Sequence, residues 1–246
     1  MYTDFDRFHD IASAFISAGY ITAPGRVIKL GKEAAVLCSP AHPSLGVEHV
    51  ALKVYKDQSF RNFRNDAAYL RGKVWKRRDL AHLKAFKDEL WVETEFRVLE
   101  RLHAAGVSVP RPYTQIGHGI VMEHVTAGGD DAPMLKHARL TPEERRRVLE
   151  EILHDIDTML GCGIIHGDLS VFNVLYDGAH PVIIDFPQAI YANTHDDPYP
   201  LFLRDVERLV ASLSPAGSVD AGAGEIAAEL WGRHYIAETS MTRRAF

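Results

Sequence analysis

The segment Ile164-Ile165-His166-Gly167-Asp168-Leu169-Ser170-Val171-Phe172-Asn173-Val174-Leu175, followed by Val182-Ile183-Ile184-Asp185-Phe186, decides the reading of this chain. Apolar runs on both sides of a short polar stretch predict a loop held between buried strands. His166, Asp168, Asn173 and Asp185 then project where a nucleotide, a metal ion and an acceptor can meet. These residue types suit phosphoryl transfer, in which the protein mainly positions the acceptor and neutralises phosphate charge. Asp168 is the candidate base, a carboxylate able to accept or orient the proton of an acceptor hydroxyl. Asn173 offers a neutral carbonyl oxygen and Asp185 a carboxylate, hard ligands of the kind magnesium takes beside phosphate oxygens and water, with manganese as the alternative ion. His166 reads as scaffolding of the loop rather than as a ligand. The competing reading is a polar hairpin whose Asp and Asn only shape turns.

Three further segments bear on that choice. Val50-Ala51-Leu52-Lys53-Val54-Tyr55 alternates like a strand and carries one lysine, the candidate phosphate ligand. Taken alone, the strand favours a lysine snorkelling from a sheet edge. In Glu93-Thr94-Glu95-Phe96-Arg97-Val98-Leu99-Glu100-Arg101-Leu102, the residues Phe96, Leu99 and Leu102 recur at helical spacing, and Glu95 beside that face is the expected partner of Lys53. Glu93 is the rival, and solvated surface acids are the alternative for both. Leu30-Gly31-Lys32-Glu33-Ala34-Ala35-Val36 holds one glycine between apolar strands, where Gly31 allows a sharp turn that aims amides at phosphate and Lys32 adds charge or is simply solvated.

Together these pieces resemble the RIO atypical protein kinases and ATPases. The resemblance rests on Gly31 to Val36, Ala51-Leu52-Lys53-Val54-Tyr55-Lys56, Phe63-Arg64-Asn65-Asp66 through Tyr69-Leu70-Arg71-Gly72, His166-Gly167-Asp168-Leu169-Ser170 with Asn173, and Ile184-Asp185-Phe186-Pro187-Gln188. It implies an α+β, bilobal protein-kinase-like fold, with a small antiparallel-sheet N-lobe and a mainly helical C-lobe. It further implies that Lys53 holds ATP phosphates, that Asp168 is the catalytic aspartate, and that Asn173 and Asp185 bind Mg2+. In several members the aspartate matching Asp185 is phosphorylated transiently, so the implied activity is that of a serine kinase or an ATPase switch. The chain departs from the family at Lys29-Leu30, where a small hydroxyl pair is usual, and the compact, bacterial-type branch is the most similar. Aminoglycoside and sugar kinases share the His-Gly-Asp-x4-Asn and Ile-Asp-Phe pattern, which keeps a small-molecule acceptor as the alternative. A nucleotide-binding module without turnover is the third reading.

In that context Gly119-Ile120-Val121-Met122-Glu123-His124-Val125 is the strand against whose end adenine sits. Backbone groups around Glu123 to Val125 are its expected contacts. Met122 is the expected pocket-lining residue, although without that context it reads as an ordinary core methionine. Gly128-Gly129 beyond it marks the boundary between lobes at about residues 1–125 and 126–246. A chain of 246 residues, 46% of them apolar, has enough core for such a domain. No apolar run is long enough to span a bilayer and Met1 to Asp6 lacks a basic start, so a cytoplasmic protein is expected.

Other features set narrower expectations. Cys38 and Cys162 read as buried free thiols, and the histidines show no metal-ligand spacing along the chain. A net charge of −5 argues against a general nucleic-acid surface. The basic run between Arg61 and Lys87 nevertheless suits contact with RNA or a ribonucleoprotein, or else a solvated insert, and the family resemblance implies that this region can be autophosphorylated, with Ser59 as the candidate site. Phe5, Phe8, Ile11, Ala12, Phe15 and Ile16 predict an amphipathic helix over 4–19 that packs on the small lobe. A second helix is predicted from about Lys84 to Ala105, and Thr141-Pro142-Glu143-Glu144 starts a third. Pro187 stiffens the loop after Asp185. Asp205 either anchors the catalytic loop or caps its own helix.

Overall fold

The computed structural model describes residues 4–56, 80–214 and 222–235. Ser59 and the basic side chains between Arg61 and Lys87 lie outside the described residues. The chain forms two compact units, Met1–His103 with Pro110–Asp131, and Ala104–Val109 with Ala132–Phe246.

The first unit is a five-stranded antiparallel sheet with helices. It contains α1 (Asp4–Ser17), β1 (Arg26–Leu30), β2 (Ala34–Pro40), β3 (His49–Tyr55), α2 (Leu80–Ala104), β4 (Pro112–Ile116), β5 (Gly119–Glu123) and the hairpin of β6 (Thr126–Ala127) with β7 (Asp130–Asp131). The sheet order is β1-β2-β3-β5-β4. Because side chains alternate across a strand, register alone sorts the sheet into two faces. Ala35, Leu37, Val50, Leu52, Val54 and Val121 point one way and form the core with Phe8, Ala12 and Phe15 of α1. The predicted packing of that first helix is therefore observed, except that Ile16 remains 37% exposed. Cys38 pairs with Ala51 and Ala51 with Met122, while Val36 pairs with Lys53 and Lys53 with Ile120, so these six share the opposite face.

Lys53 thus sits in the middle strand, which rules out a lysine at a sheet edge. In α2, Val92, Glu95, Leu99 and Leu102 are all buried at helical spacing. Glu95 occupies a place in an apolar stripe, which is why its carboxylate faces inward.

The second unit is mainly helical. It holds α3 (Pro142–Gly161), β8 (Ile164–Ile165), β9 (Val174–Tyr176), β10 (Pro181–Ile183), β11 (Ile190–Tyr191), α4 (Tyr199–Leu213) and α5 (Ala223–Tyr235). The expected start of α3 is a full capping box: the Thr141 hydroxyl accepts from the Glu144 amide, and the Glu144 carboxylate accepts from the Thr141 amide. Val148, Ile152, Ile156 and Met159 form its buried face, as the periodicity predicts, and Asp155 is buried among them. The Asp155 carboxylate accepts from the Ser108 amide at 3.1 Å, and the Ser108 carbonyl accepts from the Ile183 amide at 2.7 Å. One buried acid thereby joins α3 to β10.

Two short ladders carry the loops that matter. β8 pairs with β11 and β9 with β10, so residues 166–173 hang between β8 and β9, and residues 184–189 between β10 and β11. The Ile184 amide donates to the Asn173 carbonyl at 2.9 Å, which clips the two loops together.

Candidate active site

In the first unit, Lys53 Nζ donates to Glu95 Oε1 at 2.8 Å, and both side chains are almost completely buried. A buried charge needs such a partner, because desolvation of an unpaired ammonium or carboxylate is costly. The rival Glu93 turns outward and pairs with Arg97 one helical turn away. Met122 is 9% exposed and lies on the Lys53 face of the sheet. Glu123 is exposed at the end of β5, and Val125 follows the strand in irregular backbone. Lys32 is exposed. Gly31 closes the β1–β2 turn through its own amide, which donates to the Ala34 carbonyl at 2.9 Å, so that amide is committed to the hairpin. Its backbone lies outside the left-handed region.

In the second unit the loop is held by its own polar groups. The His166 ring is fully buried against Phe186, with centroids 4.7 Å apart. Burial drives its imidazole below the ordinary value, so it is neutral. The hydrogen-bond pattern sets its tautomer: Nε2–H donates to the Ile184 carbonyl at 3.1 Å, and Nδ1 accepts from the Asp168 amide at 3.3 Å. Histidine therefore bridges the Asp168 loop and the Asp185 loop from below. Gly167 has φ 79°, and a Cβ there would lie 2.4 Å from the Gln188 carbonyl oxygen, so only glycine fits between the loops.

Asp168, the expected base, is exposed. The Asn173 side-chain amide donates to the Asp168 carbonyl at 2.9 Å, which leaves the oxygen as the acceptor end of that side chain. Asp185 has φ 74°, the one described non-glycine residue in the left-handed region. That strain persists only because surrounding structure fixes it, and such outliers concentrate at functional positions. Asn173 and Asp185 together present oxygen donors of the kind Mg2+ takes.

Helix α4 grips this loop at three points. Asp205 Oδ2 accepts from the Gly167 amide at 2.8 Å, Arg204 donates to the Gly167 carbonyl, and Arg208 Nη1 donates to Asp168 Oδ1 at 2.8 Å. Asp205 is therefore a loop anchor, the first of the two roles its sequence allows. Arg204 and Arg208, four residues apart on one face of the helix, were not singled out in the sequence. Their spacing puts them on one helix face, but nothing local to α4 names the loop they meet. The Arg208–Asp168 pair is about half exposed and adds little stability, but it orients the carboxylate.

Asp205 also makes the loop pH-sensitive. Burial among Ile156, Met159, Leu169, Phe202 and Val206 pushes its carboxyl up to about 7, against the Gly167 amide, which favours the charged form. The native carboxyl then holds its proton above the ordinary 3.8, so between these values the folded state binds more protons than the unfolded one. This group's contribution to stability falls as pH rises from about 4 to about 7. Asp205→Asn keeps an acceptor for Gly167 but cannot ionise. Urea unfolding of both proteins at pH 5 and pH 8 is expected to show the variant gaining relative to the native chain at the higher pH. An unchanged difference would mean that Asp205 is not protonated in the fold.

The five-stranded unit and the helical unit define a protein-kinase-like fold. The structure is similar to that of the Rio2 kinase of Chaetomium thermophilum in its ADP/Mg2+-phosphoaspartate complex, with a TM-score of 0.63 and 21% identity over 90% of this chain and 67% of that one. The RIO domain profile matches residues 38–220, and the chain belongs to the RIO domain family. It is 32% identical over 209 residues to the RIO-type serine/threonine-protein kinase Rio1 of Haloferax volcanii, covering 84% of this chain and 68% of the relative. It is 33% identical over 180 residues to the serine/threonine-protein kinase RIO1 of Caenorhabditis elegans, covering 72% of this chain and 34% of the relative. The match thus spans about a third of the nematode protein's length. No described helix is long and apolar enough to cross a membrane.

Proposed function

We propose that this chain catalyses ATP-dependent phosphoryl transfer as a RIO-type serine/threonine kinase or ATPase switch. The observation that carries the reading is the loop arrangement itself: an exposed Asp168 oriented by Arg208, an Asn173 fixed with its oxygen as acceptor, and an Asp185 held at φ 74°. Asp168 receives or orients the acceptor's proton. Asn173 and Asp185 are the residues to hold Mg2+, which when bound neutralises phosphate charge. Lys53, fixed by Glu95, takes phosphate oxygens, and the backbone of Glu123 to Val125 beside Met122 takes the base. Homologous kinases and the Rio2 kinase–ADP/Mg2+ complex support this assignment. The basic run between Arg61 and Lys87 recruits the partner, an RNA-containing one by its charge. Free thiols at Cys38 and Cys162 suit a reducing cytoplasm.

The test is incubation with magnesium and ATP labelled on the γ-phosphate. Label on the protein or in free phosphate, lost in Asp168→Ala, is the expected result. Acid-stable label marks a hydroxyl acceptor, whereas label released by hydroxylamine marks an acyl phosphate on aspartate. Turnover only when a sugar or aminoglycoside is added would overturn the reading.

A further inference from the structure

Beside the strand end proposed to take the base, the first unit gathers Cys38, His124 and Asp131 at one place. They come from β2, the residue after β5, and β7, and the first two lie 86 positions apart in the chain. One ligand atom of each lies within 4.8 Å of the others. Cys38 Sγ is 3.6 Å from His124 Nδ1, and His124 Nε2 is 2.8 Å from Asp131 Oδ1. For a tetrahedral ion with a thiolate at about 2.3 Å and an imidazole at about 2.0 Å, the edge between sulfur and nitrogen is about 3.6 Å. The cysteine–histidine spacing is thus already that of two adjacent zinc ligands.

We propose that Cys38, His124 and Asp131 form a Zn2+ site. Asp131 lies on the surface hairpin with its side chain 37% exposed and contacts His124 at Nε2, so ligation beside Cys38 at Nδ1 requires its carboxylate to turn toward the ion. Arg26 supports it with two hydrogen bonds, Nη1 to Oδ2 at 2.8 Å and Nη2 to Oδ1 at 2.5 Å. A carboxylate ligand commonly needs an outer partner of this kind. A fourth donor is at hand in His49, exposed and on the Cys38 face of the sheet, its ring edge-on to that of His124 at 6.4 Å. A thiolate, imidazole and carboxylate together suit zinc better than magnesium or calcium. On binding, the Cys38 thiol releases its proton to solvent and the ion gives up water, with no change in oxidation state. The ion ties together three segments, of which that of Cys38 lies far from the other two along the chain.

The test uses the purified full chain stripped of metal. Titration with Co2+ is expected to give a thiolate-to-cobalt charge-transfer band at one ion per chain, bleached by an equivalent of Zn2+. Zn2+ should also raise the melting temperature saturably, and a chelator should reverse this. Cys38→Ser should abolish the band. His124→Gln, which keeps the thiol, should weaken binding at least tenfold, and Arg26→Gln roughly tenfold. Circular dichroism of each variant establishes that it is folded. No band with the native chain would overturn the proposal, as would a band that survives in Cys38→Ser, which would place the ion on Cys162. Neither readout involves ATP, so the outcome stands apart from the kinase reading.

Discussion

Asp185→Asn is expected to lower magnesium-dependent ATP turnover roughly a hundredfold or more, the scale on which loss of one transition-state electrostatic contact acts. The fold should survive, for a reason specific to this position. Asp185 sits at φ 74°, where alanine or a branched residue would be strained, whereas asparagine tolerates the left-handed region nearly as well as aspartate. The substitution therefore removes charge and keeps backbone. Urea unfolding should agree with the native chain within about 0.5 kcal/mol, while turnover with labelled ATP collapses. Near-normal turnover in a folded Asp185→Asn protein would reject its assigned part in holding the ion.

The Lys53–Glu95 pair gives the second large effect, and here stability and activity separate. Removing one partner, as in Glu95→Ala, leaves an ammonium buried without its carboxylate and is expected to cost about 3–5 kcal/mol in denaturant unfolding. Replacing both together, Lys53→Met with Glu95→Leu, fills the same space with apolar groups and should return stability close to the native value. Turnover should be lost in the single and the double variant alike, since neither retains an oriented cation for phosphate. A stable double variant with normal turnover would make the pair purely structural.

Much of this was legible in the chain, and the reasons for the misses are physical. The 166–173 loop could be read because its apolar flanks become short strands and its polar residues stand at fixed offsets within one segment. Thr141 and Glu144 could be read because a capping box is local. Glu95 was legible once its position on the apolar stripe of α2 was weighed against Glu93, which lies off it. A glycine at position 31 suggests a sharp turn, yet its backbone lies outside the left-handed region and its amide closes the hairpin. The single-residue requirement for glycine lies instead at Gly167, where a neighbouring carbonyl leaves no room. That constraint comes from Gln188, 21 positions on, and no local pattern announces it. Arg208 and the Cys38–His124–Asp131 group were invisible for the same reason: their meaning lies in partners that only strand pairing or loop docking brings near.

Helix α4 reaches Asp168 through Arg208 and is itself packed by α5, for Trp231 of α5 lies with its ring 5.2 Å from that of Tyr199 and 5.5 Å from that of Phe202. Arg204, Asp205 and Arg208 occupy less than a turn and a half of α4, so the loop is bolted to a stiff rod rather than hung from flexible chain. A rod held at such closely spaced bolts transmits rotation. Because Arg208 ties the Asp168 carboxylate to this rod, the carboxylate shares the orientation of α4, and packing of α5 against Tyr199 and Phe202 bears on it through that helix.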